Sequence, residues 1–378
     1  MTSELCQRFG IDFPLFAFSH CRDVVVEVSR AGGMGVFGAA SMSPDDLESE
    51  LNWIDERLEG KPYGVDLLIP DNVVGKEEAF EPEQLLKAVP AAHIRYAEAI
   101  LKEQGVDASG LDEGRKEALL IGRNLHPSGA EASMEVAFNH PIRLIANALG
   151  VPPKSMLKKA KNQGVAVAAL VGAKEHALRQ AQAGVDIIVA AGGEAGGHCG
   201  VVPTMVLIPE VAEVLEDYPE VALLGAGGLV TGTQMAATMA MGAAGIWTAS
   251  VWLTTPEAET NPVVKSKMLN ATSRDTVRSK SRTGKPSRQL RSLWTDAWEA
   301  PDAPEPLPMP LQSLISQPAL AKVDKLSQSG HEGAQYLATY WVGQGVGLMN
   351  SERAVRTVVE EFKVDFIKAY ERLNAFLT

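Results

Sequence analysis

Eight short apolar runs, each separated from the next by a stretch long enough for a helix, constrain this chain more than any other feature. They are Phe13–Phe16, Gly35–Phe37, Gly64–Leu68, Arg143–Ala146, Val165–Leu170, Asp186–Val189, Val221–Leu224 and Gly245–Trp247. Strands apolar on both faces must be covered on both, and helices alternating with a parallel sheet supply that cover. Eight such units predict an α/β chain closed into a (β/α)8 TIM barrel, with an open doubly wound sheet as the alternative. From the fifth run to the eighth the spacing is regular at roughly 20 to 35 residues, as unadorned βα units require.

Two stretches interrupt this regularity. Asp71 to His140 holds about 70 residues where a barrel needs one helix, with helical patterns in "PAAHIRYAEAILKEQ" and "GRKEALLIGRNL". Inserted after the third strand, it reads as a lid over the strand ends or as a decorative excursion, and a dimer-forming role leaves a homodimer open. Asn270 to Leu320 begins polar and turns proline-rich in "EAPDAPEPLPMP", which cannot be regular helix or sheet. The expected organisation is a barrel from 1–70 and 141–270, a helical insertion at 71–140, and a C-terminal wrap at 271–378 whose closing helix starts near Glu352.

Charge and cysteine usage narrow the partners. Thirty-five basic against 47 acidic residues leave a net charge of −12, so a polyanion would be repelled and no nucleic acid or acidic membrane is expected. No apolar run approaches the ~18 residues of a membrane helix, and "MTSELCQRFG" lacks the layout of a secretory signal, which predicts a cytoplasmic protein. Cys6, Cys21 and Cys199 show no CxxC spacing and cannot all pair, so neither a disulfide frame nor a structural metal is expected.

The chemistry concentrates after the last three strands. "AAGGEAGGHCG", residues 190–200, surrounds His198 with glycines, which lets a flat or phosphorylated ligand pack against the main chain beside an imidazole. After the seventh strand comes "GAGGLVTGTQ", where Thr231 or Thr233 can begin the next helix, and after the eighth comes Trp247, Thr248, Ala249 and Ser250. Loops in these two places commonly hold a phosphate in barrels through amide hydrogens, so an acidic chain can bind one without lysines.

With those motifs in view, the chain resembles the nitronate monooxygenase family, which shares an FMN-binding barrel with FMN-dependent enoyl-acyl-carrier-protein reductases. Further matching segments are "IDFPLF" at Ile11, "VSRAGGMGVFGAA" at Val28, "KPYGVDL" at Lys61, "GKPSRQLR" at Gly284 and "GQGVGLM" at Gly343. The resemblance implies an FMN oxidoreductase with His198 as catalytic acid or base. It places Gly196 against the flavin, Gly227, Gly228, Ala249 and Ser250 around its phosphate, and Gln344 near the substrate. Asp66 falls where the family usually carries an asparagine bonded to the flavin pyrimidine edge.

The chain also departs from that pattern. Ala17, Phe18, Ser19 and His20 replace a Gln-Gly-Gly-Met or Gln-Ala-Pro-Met segment. Ala191 replaces a glutamine, and Trp247 to Ser250 replace Gln-Met-Gly-Thr. Ala17, Phe18, Ala191, Trp247 and Thr248 thus occupy flavin-lining positions with altered chemistry, and His20 offers a second imidazole on the substrate side or a packed strand end. The basic run Arg278, Lys280, Arg282, Lys285, Arg288 and Arg291 either binds the phosphates of NAD(P)H or pairs with local acids. Three functions stay open: oxidation of nitronates with O2, NAD(P)H-dependent reduction of an enoyl thioester or quinone, and a phosphate-binding barrel without flavin redox.

Overall fold

The computed structural model describes residues 3–40, 42–69, 82–124, 127–148 and 150–376. Its centre is a closed barrel of parallel strands: β1 (Leu15–Ser19), β2 (Met34–Gly38), β3 (Tyr63–Leu67), β4 (Leu144–Asn147), β5 (Ala166–Val171), β6 (Ile187–Ala191), and then, beyond a two-residue strand β7 (Gly197–His198), β8 (Ala222–Ala226) and β9 (Gly245–Thr248). β9 pairs with β1 through Leu15↔Ile246, Phe16↔Trp247 and Ala17↔Thr248, which closes the ring. Each of the eight apolar runs became one barrel strand, displaced by a few residues at most. The TIM-barrel expectation is met.

Alternation along the strands sorts side chains into two cores. Phe16, Met34, Val36, Leu144, Val189 and Trp247 share the lumen, while Tyr63, Val65, Leu67, Ile145 and Val167 pack outward under the helices. The N-terminal helix Glu4–Phe9 closes the floor, with Leu5 and Phe9 in the lumen cluster and the Phe9 ring edge-on to Phe16 at 5.6 Å. The opposite end, where the strands finish, carries the loops.

The insertion divides in two. Its first residues, 71–81, lie outside the described residues. Helices Ala91–Glu103 and Leu111–Asn124 pack on the C-terminal helix Leu311–Gln328, whereas Pro127–Asn139 packs on Pro44–Leu58 and β3. That last helix thus lies against the barrel, whereas the two before it lie against Leu311–Gln328. Helix-forming sequence looks alike in both settings, and only packing tells them apart.

Beyond the barrel, β10 (Thr276–Ser279) and β11 (Ser287–Leu290) form an antiparallel hairpin that joins β7. From sequence this polar stretch reads as an irregular wrap, because strands of four residues carry almost no periodic signal. The closing helix runs Val355–Asn374 and packs against Gly232–Ala240, the helix after β8. Among the described residues no helix is long and apolar enough to cross a membrane, and Cys6, Cys21 and Cys199 are all free.

Candidate active site

The rim of the barrel is built by three glycine-rich segments that lock together through their backbones. In the loop after β6, a Cβ at Gly196 would fall 2.8 Å from both the Gly343 nitrogen and the Val342 carbonyl carbon. The side-chain room at Gly196, expected to face the flavin, is thus taken by the 342–345 segment. The Glu194 carbonyl accepts from the Gln344 amide at 2.9 Å, and the Gly343 amide donates to Ser250 Oγ at 2.9 Å. Gln344 is held by its backbone, and Ser250 ties the turn after β9 to the same segment.

Glu194, which the sequence reading passed over, is a hub. Its carboxylate accepts from the Thr204 amide and, at 2.8 Å, from the Thr204 hydroxyl, capping the helix Thr204–Val214 from ten residues upstream. Caps normally sit next to their helix, so a distant glutamate gives no local signal. Two arginines of the basic run hold the same loop: Arg288 donates through Nε and Nη2 to the Gly193 carbonyl at 3.1 and 2.8 Å, and Arg278 donates to the Cys199 carbonyl at 3.2 Å. Elsewhere in the run Lys280 pairs with Glu305, Arg291 pairs with Asp296, and Arg282 lies over the Trp341 ring and donates to Gln289. This part of the run is structural.

Arg288→Ala is therefore expected to destabilise the protein by about 1.5–3 kcal/mol, the usual worth of a hydrogen bond from a charged group. Arg288→Lys should recover less than half of that, since an ammonium cannot reproduce the fork. Urea denaturation would measure both, and an alanine variant as stable as wild type would remove the clamp from the account.

The turn after β8 has the features of an anion site. Gly227 and Gly228 both hold left-handed backbone, with φ of +105° and +67°. The Gly228, Leu229, Ala249 and Ser250 amides donate to no acceptor among the described residues, and Ala249 is exposed. The Val230 and Thr231 amides, by contrast, are satisfied by Gln234 Oε1 in the capping box that starts the next helix at Thr231. Unbonded N–H groups on two adjacent strand ends are the kind of donor that can take an anion without a cationic side chain.

At the lumen mouth the altered positions come together. Phe18 stacks on Trp247 with ring centroids 6.4 Å apart and meets His20 edge-on at 5.0 Å, and His20 Nδ1 lies 2.7 Å from the Gly38 carbonyl oxygen. Gly38 is in register with Asp66, which is in register with Ala146, itself paired with Ala168. Asp66 points into the lumen and is 5 % exposed, and its carboxyl has no hydrogen-bond partner among the described residues. Burial pushes its carboxyl up to about 7. Ala191 ends β6 half-buried on the lumen side. Ala17 and Thr248 belong to the outer face: Ala17 packs in the helix-side core, and Thr248 Oγ1 donates to the Phe16 carbonyl and accepts from Trp252 Nε1. Only their backbones can line a lumen ligand, because adjacent strand residues face opposite ways.

His198 lies on β7, opposite Ser287 of β11. Its Nδ1 is 3.2 Å from the Pro286 carbonyl, which can only accept, so Nδ1 carries the hydrogen and Nε2 is the bare nitrogen. Thr283 Oγ1, 3.3 Å from Nε2, completes the arrangement. The ring edge is exposed, yet surrounding backbone removes enough water to lower its proton affinity below the ordinary value, with Lys285 acting in the same direction and the Pro286 bond opposing. A neutral imidazole with one fixed N–H is set up to accept a proton at Nε2. Thr283 was invisible in the sequence, because it lies 85 residues from His198 and is delivered only by the pairing of β7 with β11. At Cys199 beside it, burial pushes the thiol up against the opposing pull of Arg278 and Arg288, and its Sγ donates to the Gly193 carbonyl at 3.6 Å.

Comparison with known proteins places these features in a family. Residues 6–365 match the family model described as Nitronate monooxygenase. The chain is 48 % identical over 379 residues to Rv1533, a candidate monooxygenase of Mycobacterium tuberculosis, with 100 % of each chain covered. It is 24 % identical over 365 residues to a candidate nitronate monooxygenase of Staphylococcus haemolyticus, covering 93 % of each. Among solved structures, nitroalkane oxidase from Streptomyces ansochromogenes aligns with a TM-score of 0.78 at 21 % identity, over 98 % of this chain and 100 % of that one. FabK from Thermotoga maritima aligns with a TM-score of 0.72 at 22 % identity, over 100 % and 99 %.

Proposed function

The chain belongs to the nitronate monooxygenase family, and from that membership in a group of flavin-dependent oxidoreductases we propose that it is an FMN-dependent monooxygenase oxidising alkyl nitronates with O2, with His198 as its acid/base. The observation that carries the FMN reading is the cradle of unbonded amides at Gly228, Leu229, Ala249 and Ser250, on the two loops where barrels hold a phosphate. The lining of the mouth supports the same reading: Gly38, Ala146 and Ala168 are small residues in the rows beside Asp66, and Phe18 and Trp247 offer flat apolar surface. Bound FMN would supply the redox chemistry, taking electrons from the substrate and returning them to O2.

The residues of this chain do the rest. Backbone amides fix the phosphate, which anchors the ligand without adding positive charge. The apolar lumen keeps water from the reacting face. His198 Nε2, held in its basic form by the Nδ1–H bond to Pro286, accepts the α-proton of a neutral nitroalkane, and a nitronate arrives with that proton already gone. His20 and Gln344 stand on the substrate side as hydrogen-bonding groups.

The reductase alternative needs a place for nicotinamide phosphates, and the structural use of Arg278, Lys280, Arg282, Arg288 and Arg291 argues against the basic run as that place. Anaerobic mixing tests the choice. Bleaching of the flavin absorbance by an alkyl nitronate, with no bleaching by NADH or NADPH, is the expected result. The reverse pattern would replace the monooxygenase with the reductase, and a protein that takes up no FMN on titration would sink both.

A further inference from the structure

The lumen-facing side chains of the eight barrel strands are apolar with one exception, Asp66. Its neighbours in register on the same face are Gly38 and Ala146, which contribute neither charge nor a hydrogen-bonding side chain. Across the mouth stand Phe18, Ala191 and Trp247. His20 stands at the same mouth, with its Nδ1 engaged with the Gly38 carbonyl and its ring against Phe18. No cation faces the carboxyl from β2, β4, β5, β6, β8 or β9. A carboxylate in such a setting has neither solvent nor a partner to stabilise its charge.

We propose that Asp66 stands as a neutral carboxylic acid in the working enzyme and that FMN binding is coupled to the proton it holds. The inference rests on the FMN reading of the site and adds to it a proton requirement. A protonated carboxyl has the shape of an amide and the same pair of functions, one carbonyl acceptor and one donor. The pyrimidine edge of a flavin presents an N–H between two carbonyl oxygens. The acid accepts from the N–H and donates to a neighbouring carbonyl, as the asparagine implied by the family resemblance would. The ionised form keeps the first bond but sets its charge against the carbonyl oxygen. In the free protein burial holds the carboxyl at about 7. Bonding of the proton to the flavin raises that value further, so above neutrality each binding event takes up a proton from solvent.

FMN binding followed by quenching of flavin fluorescence, on the full chain from pH 6 to 9, reads this directly. Wild-type affinity is expected to weaken with pH above the Asp66 value, with a slope approaching tenfold per pH unit. Asp66→Asn, which has no proton to lose, should show no such decline and bind more tightly than wild type at the alkaline end. The second ionisation of the phosphate, near 6, is common to both proteins and cancels in the ratio of their affinities. Proton uptake in weakly buffered solution gives a measure on wild type alone: about one proton per FMN bound at the alkaline end. Tight binding with the same pH profile in both proteins, or with no proton uptake, overturns the coupling and leaves the FMN reading standing. Failure of both proteins to bind FMN at any pH overturns the two together.

Discussion

His198→Ala is expected to lower turnover of a neutral nitroalkane by about 10²–10⁴, the range a positioned general base contributes. Turnover of the preformed nitronate should fall far less, because that substrate no longer needs its α-proton removed. The ratio of the two activities isolates proton transfer from any general damage to the rim, since both substrates need the same flavin and the same mouth. The pH dependence carries a sign. Burial lowers His198 below its ordinary value near 6.5, so the basic form prevails across neutrality and nitroalkane activity falls only as pH drops through the lowered value. A variant that keeps full nitroalkane turnover, or loses both activities equally, would remove His198 from the role of base.

Gly227→Val should cost the protein its FMN. A Cβ at Gly227 would lie 2.5 Å from Thr204 Oγ1 and 2.8 Å from the Gly192 nitrogen, and φ of +105° is a conformation a β-branched residue does not adopt. Thr204 cannot retreat, because its hydroxyl and amide are bonded to Glu194, which anchors the rim. The turn must therefore move, and the amides of Gly228 and Leu229 move with it. Backbone strain of about 1–3 kcal/mol together with the lost phosphate contacts predicts affinity reduced by roughly a hundredfold or more. Equilibrium dialysis with FMN measures it, and far-UV circular dichroism checks that the barrel is intact. Affinity within about threefold of wild type in a folded variant would show that the phosphate sits elsewhere.

Much of this architecture was readable because parallel strands covered on both faces leave continuous apolar runs. The rim was not, and the reasons differ from residue to residue. Gly196 was legible as a glycine that something must approach closely, but whether a ligand or the Val342–Gly343 backbone makes the approach depends on where the C-terminal segment returns. Arg278 and Arg288 belong to a run that in sequence could bind phosphates or pair with local acids, and the hairpin instead folds them onto the Cys199 and Gly193 carbonyls. The helical pattern of the insertion does not tell which of its helices pack on the barrel, as Pro127–Asn139 does, and which pack on Leu311–Gln328. Ala17 and Thr248 were assigned to the flavin by position in a motif, and strand alternation turned their side chains the other way.

The sequence by itself determined the eight-stranded barrel, the order of its strands and the loops that carry glycine, because burial and turn geometry act on neighbouring residues and leave local patterns. It also marked His198 and Asp66 as the polar groups to follow. Tertiary structure alone decided what each of them faces. The tautomer of His198 is set by the Pro286 carbonyl and Thr283 stands at its other nitrogen, both more than 80 residues away in the chain, and the isolation of the Asp66 carboxyl is set by Gly38 and Ala146 on neighbouring strands. Proton affinity is a property of surroundings, and surroundings drawn from distant segments exist only once the chain has closed.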